Sequence, residues 1–428
     1  MTHQFPDNFL WGASTAAHQV EGNNTNSDFW LMENLEGSVF KEPSGSAVDH
    51  YRLFREDIAR MAEMGFNAYR FSFEWARIEP EEGRFDPAEL GHYRDVLLAC
   101  KEWSITPIVT LHHFSSPQWL IKQGGWEAAE TPARFARYCA HVMNELGDLI
   151  PYVCTINEAN ISIGIKKIMK RHELQSGAQG AQVGMNMDRM AQMQKYFEEL
   201  GKAFGVPHTE VHSFLAPRSE KGLEIIFQAH MEAKAAIRLI RPQTRIGLSL
   251  SLYDIQSRPG GEEQAAHALQ EEFLQFIPYL KDDDFFGLQN YTRVLYGPDG
   301  ILPIPDGAEI TQMGNEFYPE ALGAVVRYVA KHLEIPIMIS ENGIATDDDT
   351  RRVVFIDRAL KGVHDCISEG IQVLGYMHWS LMDNFEWQLG FAKRFGLIEV
   401  NRATQERTIK PSGLHLGNIA KRNAIEQA

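Results

Sequence analysis

The sequence predicts an α/β chain folded as a single-domain (β/α)8 TIM barrel, with a long insertion after the fourth strand. Three observations carry this expectation. Eight strand-like apolar runs recur along the 428 residues, with helical patterns between them. The runs are continuously apolar, as strands of a parallel sheet covered by helices are. Polar residues gather at the C-terminal ends of the runs, and in a closed barrel those ends line one mouth.

The elements follow in order. FLWGAST (9–15) is the first run, and Gln19 comes after it. A helix is predicted over 50–64. AYRFSFEW (68–75) is the second run and contains Arg70; TPIVTLHH (106–113) is the third and ends in His112 and His113. VCTINE (153–158), the fourth, ends in Asn157 and Glu158. Residues 159–218 then form an insertion over the barrel mouth, too long for an ordinary strand-to-helix loop. A helix is predicted over 222–240, where Leu223, Ile226, Phe227, Ala233, Ile237 and Ile240 make one stripe that stops at Pro242. RIGLSLS (245–251) and DFFGLQNY (284–291) are the fifth and sixth runs, the latter ending in Asn290 and Tyr291. A helix over 319–334 leads to PIMISEN (336–342), which carries Glu341. VLGYMHWSL (373–381), with Trp379, is the eighth run.

The fourth and seventh runs pose the chemical question. Each ends with a Glu beside an Asn, in TINEAN (155–160) and ISENG (339–343). A polar group buried without partners costs roughly 2–7 kcal/mol, so such placement needs a use. If the two motifs face each other across the barrel, they form a carboxyl pair suited to cleaving a glycosidic bond. One carboxyl must hold a proton for the leaving oxygen, and the other must be ionised to attack the anomeric carbon. Arg70 and the Tyr291 hydroxyl are expected beside Glu341, and a cation lowers a carboxylate pKa by roughly 1–3 units. Glu158 has no cation nearby in sequence. Glu341 is therefore the expected nucleophile and Glu158 the expected acid/base. The two carboxyls should stand about 5–5.5 Å apart, with Asn157 reaching the sugar 2-hydroxyl.

Composition excludes other classes. Net charge is −16, which repels nucleic acid and anionic membrane. No run of 18 apolar residues is present, and MTHQFPDNFLWG does not read as a secretory signal. Cys100, Cys139, Cys154 and Cys366 are scattered without a CxxC. They read as reduced thiols in a cytoplasmic protein.

The motifs resemble those of the β-glycosidases of glycoside hydrolase family 1. TINEA stands against the family's T-x-N-E-P, and ISENG against [IV]-T-E-N-G. FLWGASTAAHQVEG (9–22), YRFSFEWARIEP (69–80) and WSLMDNFEWQLGFAKRFGL (379–397) also fit, and the likeness runs from residue 9 to about residue 418. The resemblance implies a retaining exo-β-glycosidase acting on small neutral β-glycosides, of the β-glucosidase type, with galactoside or fucoside activity also open. It implies that Gln19 and Glu386 hold sugar hydroxyls with His113 and Trp387 beside them. Trp379 would lie under the ring and Phe395 near the 6-position. It implies no cofactor. Glu386 would be an anion where a 6-phosphate would sit, which disfavours phosphorylated sugars. The chain departs from the pattern at Ala159 (Pro), His18 (Tyr), Phe114 (Trp) and at Gln289–Asn290, where Asn-Tyr is common.

Several residues have plainer readings. Neighbouring strand residues point to opposite faces, so His112 and His113 do not share a metal ion. His230 reads as a core histidine. Met185, Met187, Met190 and Met193 read as packing rather than as copper ligands. Asp282–Asp284 and Asp347–Asp349 read as solvated turns, with Asp284 capping a strand. A non-catalytic sugar-binding barrel and a mainly transglycosylating enzyme are the alternatives of function. The sequence carries no signal for an oligomeric state.

Overall fold

The computed structural model describes residues 2–165 and 187–426. Eight parallel strands close into a barrel: β1 (Leu10–Ser14), β2 (Ala68–Ser72), β3 (Thr106–His112), β4 (Tyr152–Ile156), β5 (Arg245–Ser251), β6 (Phe285–Gln289), β7 (Ile337–Asn342) and β8 (Val373–Trp379). Each expected run coincides with one of them, β4 starting one residue before its run. The order round the ring is β7-β8-β1-β2-β3-β4-β5-β6. β4 and β7 are thus three strands apart, converging on the mouth at an angle rather than directly opposed.

One long helix follows each strand: α1 (His50–Met64), α2 (Pro87–Glu102), α3 (Thr131–Leu146), α4 (Glu220–Ile240), α5 (Glu262–Glu272), α6 (Ala321–His332), α7 (Asp349–Ser368) and α8 (Pro411–Arg422). α4 starts two residues before the expected 222 because the Ser219 hydroxyl caps it, accepting from the Gly222 N–H at 3.0 Å. Its Ile226, Phe227, Ala233 and Ile237 are buried, as the stripe required. α6 is shorter than the expected 319–334, since Leu333 is already extended.

Inside the ring, Ala68, Ile108, Cys154, Phe285, Met338 and Met377 pack into an apolar plug. The polar groups of the site stand above it, at the C-terminal strand ends. Beyond β5 and β6 the chain adds a three-stranded sheet from Asp254–Ser257, Arg293–Gly297 and Gly300–Ile301. A helix at Met187–Phe204, within the inserted segment, buries Tyr196, Leu200 and Phe204. Met185 and the side chains of Met187, Met190 and Met193 lie outside the described residues, as does most of the loop-like stretch at 175–190.

The aspartate triplets are more committed than solvated turns. Asp283 is buried and accepts from Lys234 Nζ at 2.6 Å, and His230 stands 3.2 Å from it. His230 also meets the Thr155 hydroxyl at 2.8 Å, a satisfied core histidine. Asp284 accepts from the Ile246 N–H at 2.8 Å and ties β5 to β6. Asp348 caps α7 at the Thr350 N–H. All four cysteines are buried and free. No helix among the described residues is long and apolar enough to cross a membrane.

Candidate active site

Two backbone irregularities aim the carboxyls. In β7 the register slips between Ile339 and Glu341 against β6, and between Ile339 and Asn342 against β8. The extra residue is a bulge. Without it Glu341 would share the outward face of Ile339; with it Glu341 turns into the barrel. Glu158 leaves β4 at φ +43°, a left-handed conformation that few non-glycine residues adopt. Its neighbour Ala159 donates its N–H to Ser249 O at 3.1 Å, a bond that a proline at this place lacks. Gly343 follows the bulge because the Trp379 carbonyl occupies the space a Cβ would take.

Glu158 and Glu341 line one cavity of about 340 Å³. Gln19, His113, Tyr291, Trp379, Glu386, Trp387 and Phe395 line the same cavity. Asn157 and Arg70 stand just behind its wall. Arg70 Nη1 donates to Glu341 Oε1 at 2.5 Å, and Nη2 donates to Asn157 Oδ1 at 2.5 Å. The Tyr291 hydroxyl donates to Glu341 Oε2 at 2.5 Å. Gln289 Nε2 donates to both Glu341 Oε1 (3.1 Å) and Asn157 Oδ1 (2.7 Å). With its oxygen taken by these donors, Asn157 presents its amide N–H groups, one of which reaches His113 Nε2 at 3.1 Å.

Electrostatics separates the two carboxyls. Burial pushes the Glu158 carboxyl well above the usual range, and the charge of Glu341 pushes it further, while that of Arg70 pulls it back. Glu158 makes no side-chain hydrogen bond among the described residues. Burial raises Glu341 too, but Arg70 and the Tyr291 hydroxyl pull it back. The expectation that the cation holds Glu341 below the ordinary range is therefore corrected, because desolvation outweighs it. The order survives: the pair's shared proton rests on Glu158. Glu386 is also corrected. Burial and the Glu341 charge push it up to about 8, so near neutral pH it is a protonated acid rather than an anion.

The walls carry unmet hydrogen-bonding capacity. Burial and the Arg70 charge hold His113 well below its ordinary pKa, so the ring is neutral. Since Nε2 accepts from Asn157, the proton sits on Nδ1, which has no partner among the described residues. Gln19 spends its N–H groups on Phe385 O (2.7 Å) and Asn384 Oδ1 (3.2 Å), leaving Oε1 without a donor among the described residues. A donor and an acceptor without partners among the described residues, lining one cavity, suit hydroxyl groups, which do both. His113 lies nearly parallel to Trp379, ring centres 5.9 Å apart. His18 lies parallel to Trp387 at 5.8 Å and backs that indole. His112 turns the other way, to Ser116 at 3.0 Å. Among the described residues no group of three or more His, Cys, Asp or Glu is placed to hold a metal.

A sequence model described as Glycosyl hydrolase family 1 matches residues 1–300 and 303–425. The chain belongs to glycosyl hydrolase family 1. Beta-glucosidase A of Thermotoga maritima is 30% identical over 452 residues, covering 99% of each chain. The solved beta-glycosidase BGL167 is 48% identical, covers 99% of each chain and superposes with a TM-score of 0.88. A Thermotoga maritima beta-glucosidase solved with deoxynojirimycin is 26% identical over 99% of this chain and all of the other, with a TM-score of 0.82.

Within this family member, the cavity also contains residues that no motif marks. Ile161 and Ile165 at the start of the insertion and Leu215 near its end border it, with Tyr253, Met313 and Asn315 from loops after β5 and β6. None sits in a periodic stretch, so a pattern search passes over them. Gln289 stood out only as a departure from a common Asn, and its contact with both Glu341 and Asn157 needed coordinates.

Proposed function

We propose that this family 1 member is a retaining exo-β-glycosidase that releases the terminal non-reducing sugar of small neutral β-glycosides, β-glucosides foremost. The observation that carries the reading is one cavity holding two carboxyls whose surroundings divide the labour. A Glu341 oxygen attacks the anomeric carbon while the glycosidic C–O bond breaks, and the departing oxygen takes the proton from Glu158. A water then attacks the same carbon, gives its proton to Glu158, and frees the Glu341 carboxylate. Arg70 and Tyr291 hold Glu341 in place and support its charge. Asn157 donates to the sugar 2-hydroxyl. Gln19, His113, Glu386 and Trp387 take the other hydroxyls, Trp379 covers the apolar face of the ring, and Phe395 stands near the 6-position. No cofactor enters this scheme. The two ends of the segment 159–218, through Ile161 and Leu215, contribute to the wall on the leaving-group side. Four free, buried thiols support a cytoplasmic setting.

The test is a panel of nitrophenyl β-glucoside, galactoside, fucoside, mannoside and a 6-phospho-β-glucoside, with Glu341→Ala as control. The expected result is fastest turnover of the glucoside, none by the variant, and a first-formed β-glucose signal in proton NMR. A first-formed α-product ends the double-displacement scheme. Equal inertness of wild type and variant ends the enzyme reading, and preference for the phosphorylated sugar ends the neutral-substrate reading.

A further inference from the structure

Trp387 lines the cavity, and its indole N–H has no hydrogen-bond partner among the described residues, so ring contacts set its plane. Its backbone sits at φ +46°, a conformation that non-glycine residues rarely adopt and that persists where the surroundings fix it. Among the described residues four rings meet the indole. Phe29 and Phe114 lean on it at 56° and 52°, with centres 4.7 and 5.2 Å away. His113 lies at 20° and 6.2 Å, and His18 is parallel within 4° at 5.8 Å.

His18 differs from the other three in what lies behind it. It is buried and does not line the cavity, and both of its nitrogens are engaged. Nε2 donates to Glu33 Oε2 at 3.3 Å, and Nδ1 accepts from the Asn24 amide at 3.0 Å. Glu33 is itself buried, and its other oxygen accepts from the Ser44 hydroxyl. An imidazole bonded at both nitrogens cannot turn without losing a bond, because hydrogen bonds weaken steeply with angle. Phe29 and Phe114 have no ring nitrogens to bond, and His113 is held at Nε2 alone. The tyrosine common at position 18 in the family offers a single polar atom. We propose that His18, locked between Glu33 and Asn24, is a positioning residue that fixes the plane of Trp387 and with it the direction in which the indole N–H meets a sugar hydroxyl. This rests on the glycosidase reading above, in which Trp387 touches the sugar. His18 then governs selectivity at one hydroxyl and leaves the reacting carboxyls alone.

Nitrophenyl β-glucosides lacking the 3-, 4- or 6-hydroxyl read this out, each as its kcat/KM relative to that of the parent glucoside. Trp387→Phe identifies the hydroxyl that the indole meets, since wild type should penalise its absence about fivefold more than the variant does. His18→Phe keeps a ring and drops both bonds. It should lose the same discrimination at the same hydroxyl and leave the other ratios as in wild type. Added to Trp387→Phe, it should change that ratio no further. Glu33→Ala should act as His18→Phe does, and Glu33→Gln, which keeps an acceptor, should restore discrimination. A merely structural role lowers the parent and all deoxy compounds alike with the ratios intact, and that result overturns the proposal. Wild-type discrimination that Trp387→Phe leaves untouched overturns it too. If His18→Phe fails to fold, the two Glu33 variants decide by the same ratios. Wild-type turnover of the parent with ratios unmoved in the variants removes the positioning role alone; no turnover removes the glycosidase reading, and the positioning role with it.

Discussion

Tyr291→Phe deletes one oxygen and isolates one interaction. Glu341 Oε1 has two donors, Arg70 at 2.5 Å and Gln289 at 3.1 Å. Among the described residues Oε2 has Tyr291 as its donor, at 2.5 Å. A hydrogen bond to a charged acceptor is worth roughly 1.5–3 kcal/mol. Oε2 borders the cavity, so water can take over part of the task, and the lower end of that range applies. A chain of this length has an unfolding entropy near 0.9 kcal/mol/K, so the loss lowers Tm by about 2 °C. The sign with pH follows from the charge. The hydroxyl stabilises the carboxylate and gives little to the protonated acid, so the loss is full where Glu341 is ionised and fades once it is protonated. The same deletion raises the pKa of Glu341, and the acid limb of kcat/KM moves to higher pH. Calorimetry at pH 8 and pH 4, with a pH–rate profile on nitrophenyl β-glucoside, reads both effects. An equal Tm loss at both pH values, or an acid limb that moves to lower pH, would refute the charge-assisted bond.

The remaining expectations concern the neighbours of that bond. Glu386 keeps its proton to about pH 8 in the folded chain, against an ordinary value of 4.5. Between those values the unfolded state binds fewer protons, so stability falls as pH rises, by up to ~1.4 kcal/mol per unit. Glu386→Gln should therefore be more stable than wild type at pH 8 and equal to it near pH 4; the same shift at both pH values contradicts the raised pKa. Glu158→Gln should slow alkyl β-glucosides by ~10²–10⁴ and spare the first step on a nitrophenyl glucoside, whose leaving group needs no proton; equal losses on both argue against an acid role. Gln289→Ala should cut kcat about tenfold, the equivalent of one hydrogen bond of ~1.4 kcal/mol, with little change in KM. Gln289→Asn should recover part of it, and a KM effect without a kcat effect would make Gln289 a sugar contact instead.

The barrel was legible because its signal is redundant. A parallel strand covered by helices is apolar along its whole length, and each of the eight runs carries that mark independently. A misjudged end, such as the boundaries of α6, leaves the ring intact. The aim of the catalytic candidates has no such redundancy. Strict alternation along Ile339-Ser340-Glu341 sends Glu341 to the outside with Ile339, and only a one-residue bulge reverses it. Glu158 likewise depends on a single positive φ. ISENG and TINEA name the carboxyls but do not contain the turn that points them inward.

The same division explains the electrostatic outcome. A sequence lists charges, so Arg70 could be matched to Glu341 and the absence of a cation noted at Glu158. Burial belongs to the whole fold, and it is the largest influence on Glu158, Glu341 and Glu386 alike. Differences between carboxyls depend on their partners, whereas absolute positions depend on solvent access. The order of Glu158 above Glu341 was therefore within reach of the sequence, and the upward displacement of all three was not. That displacement has a chemical consequence. With Glu386 uncharged near neutral pH, the anion that raises the Glu158 pKa is chiefly Glu341 itself. In the double displacement proposed above, forming the glycosyl ester would remove that anion, so the step that consumes the Glu158 proton would also lower the Glu158 pKa and ready it to act as a base.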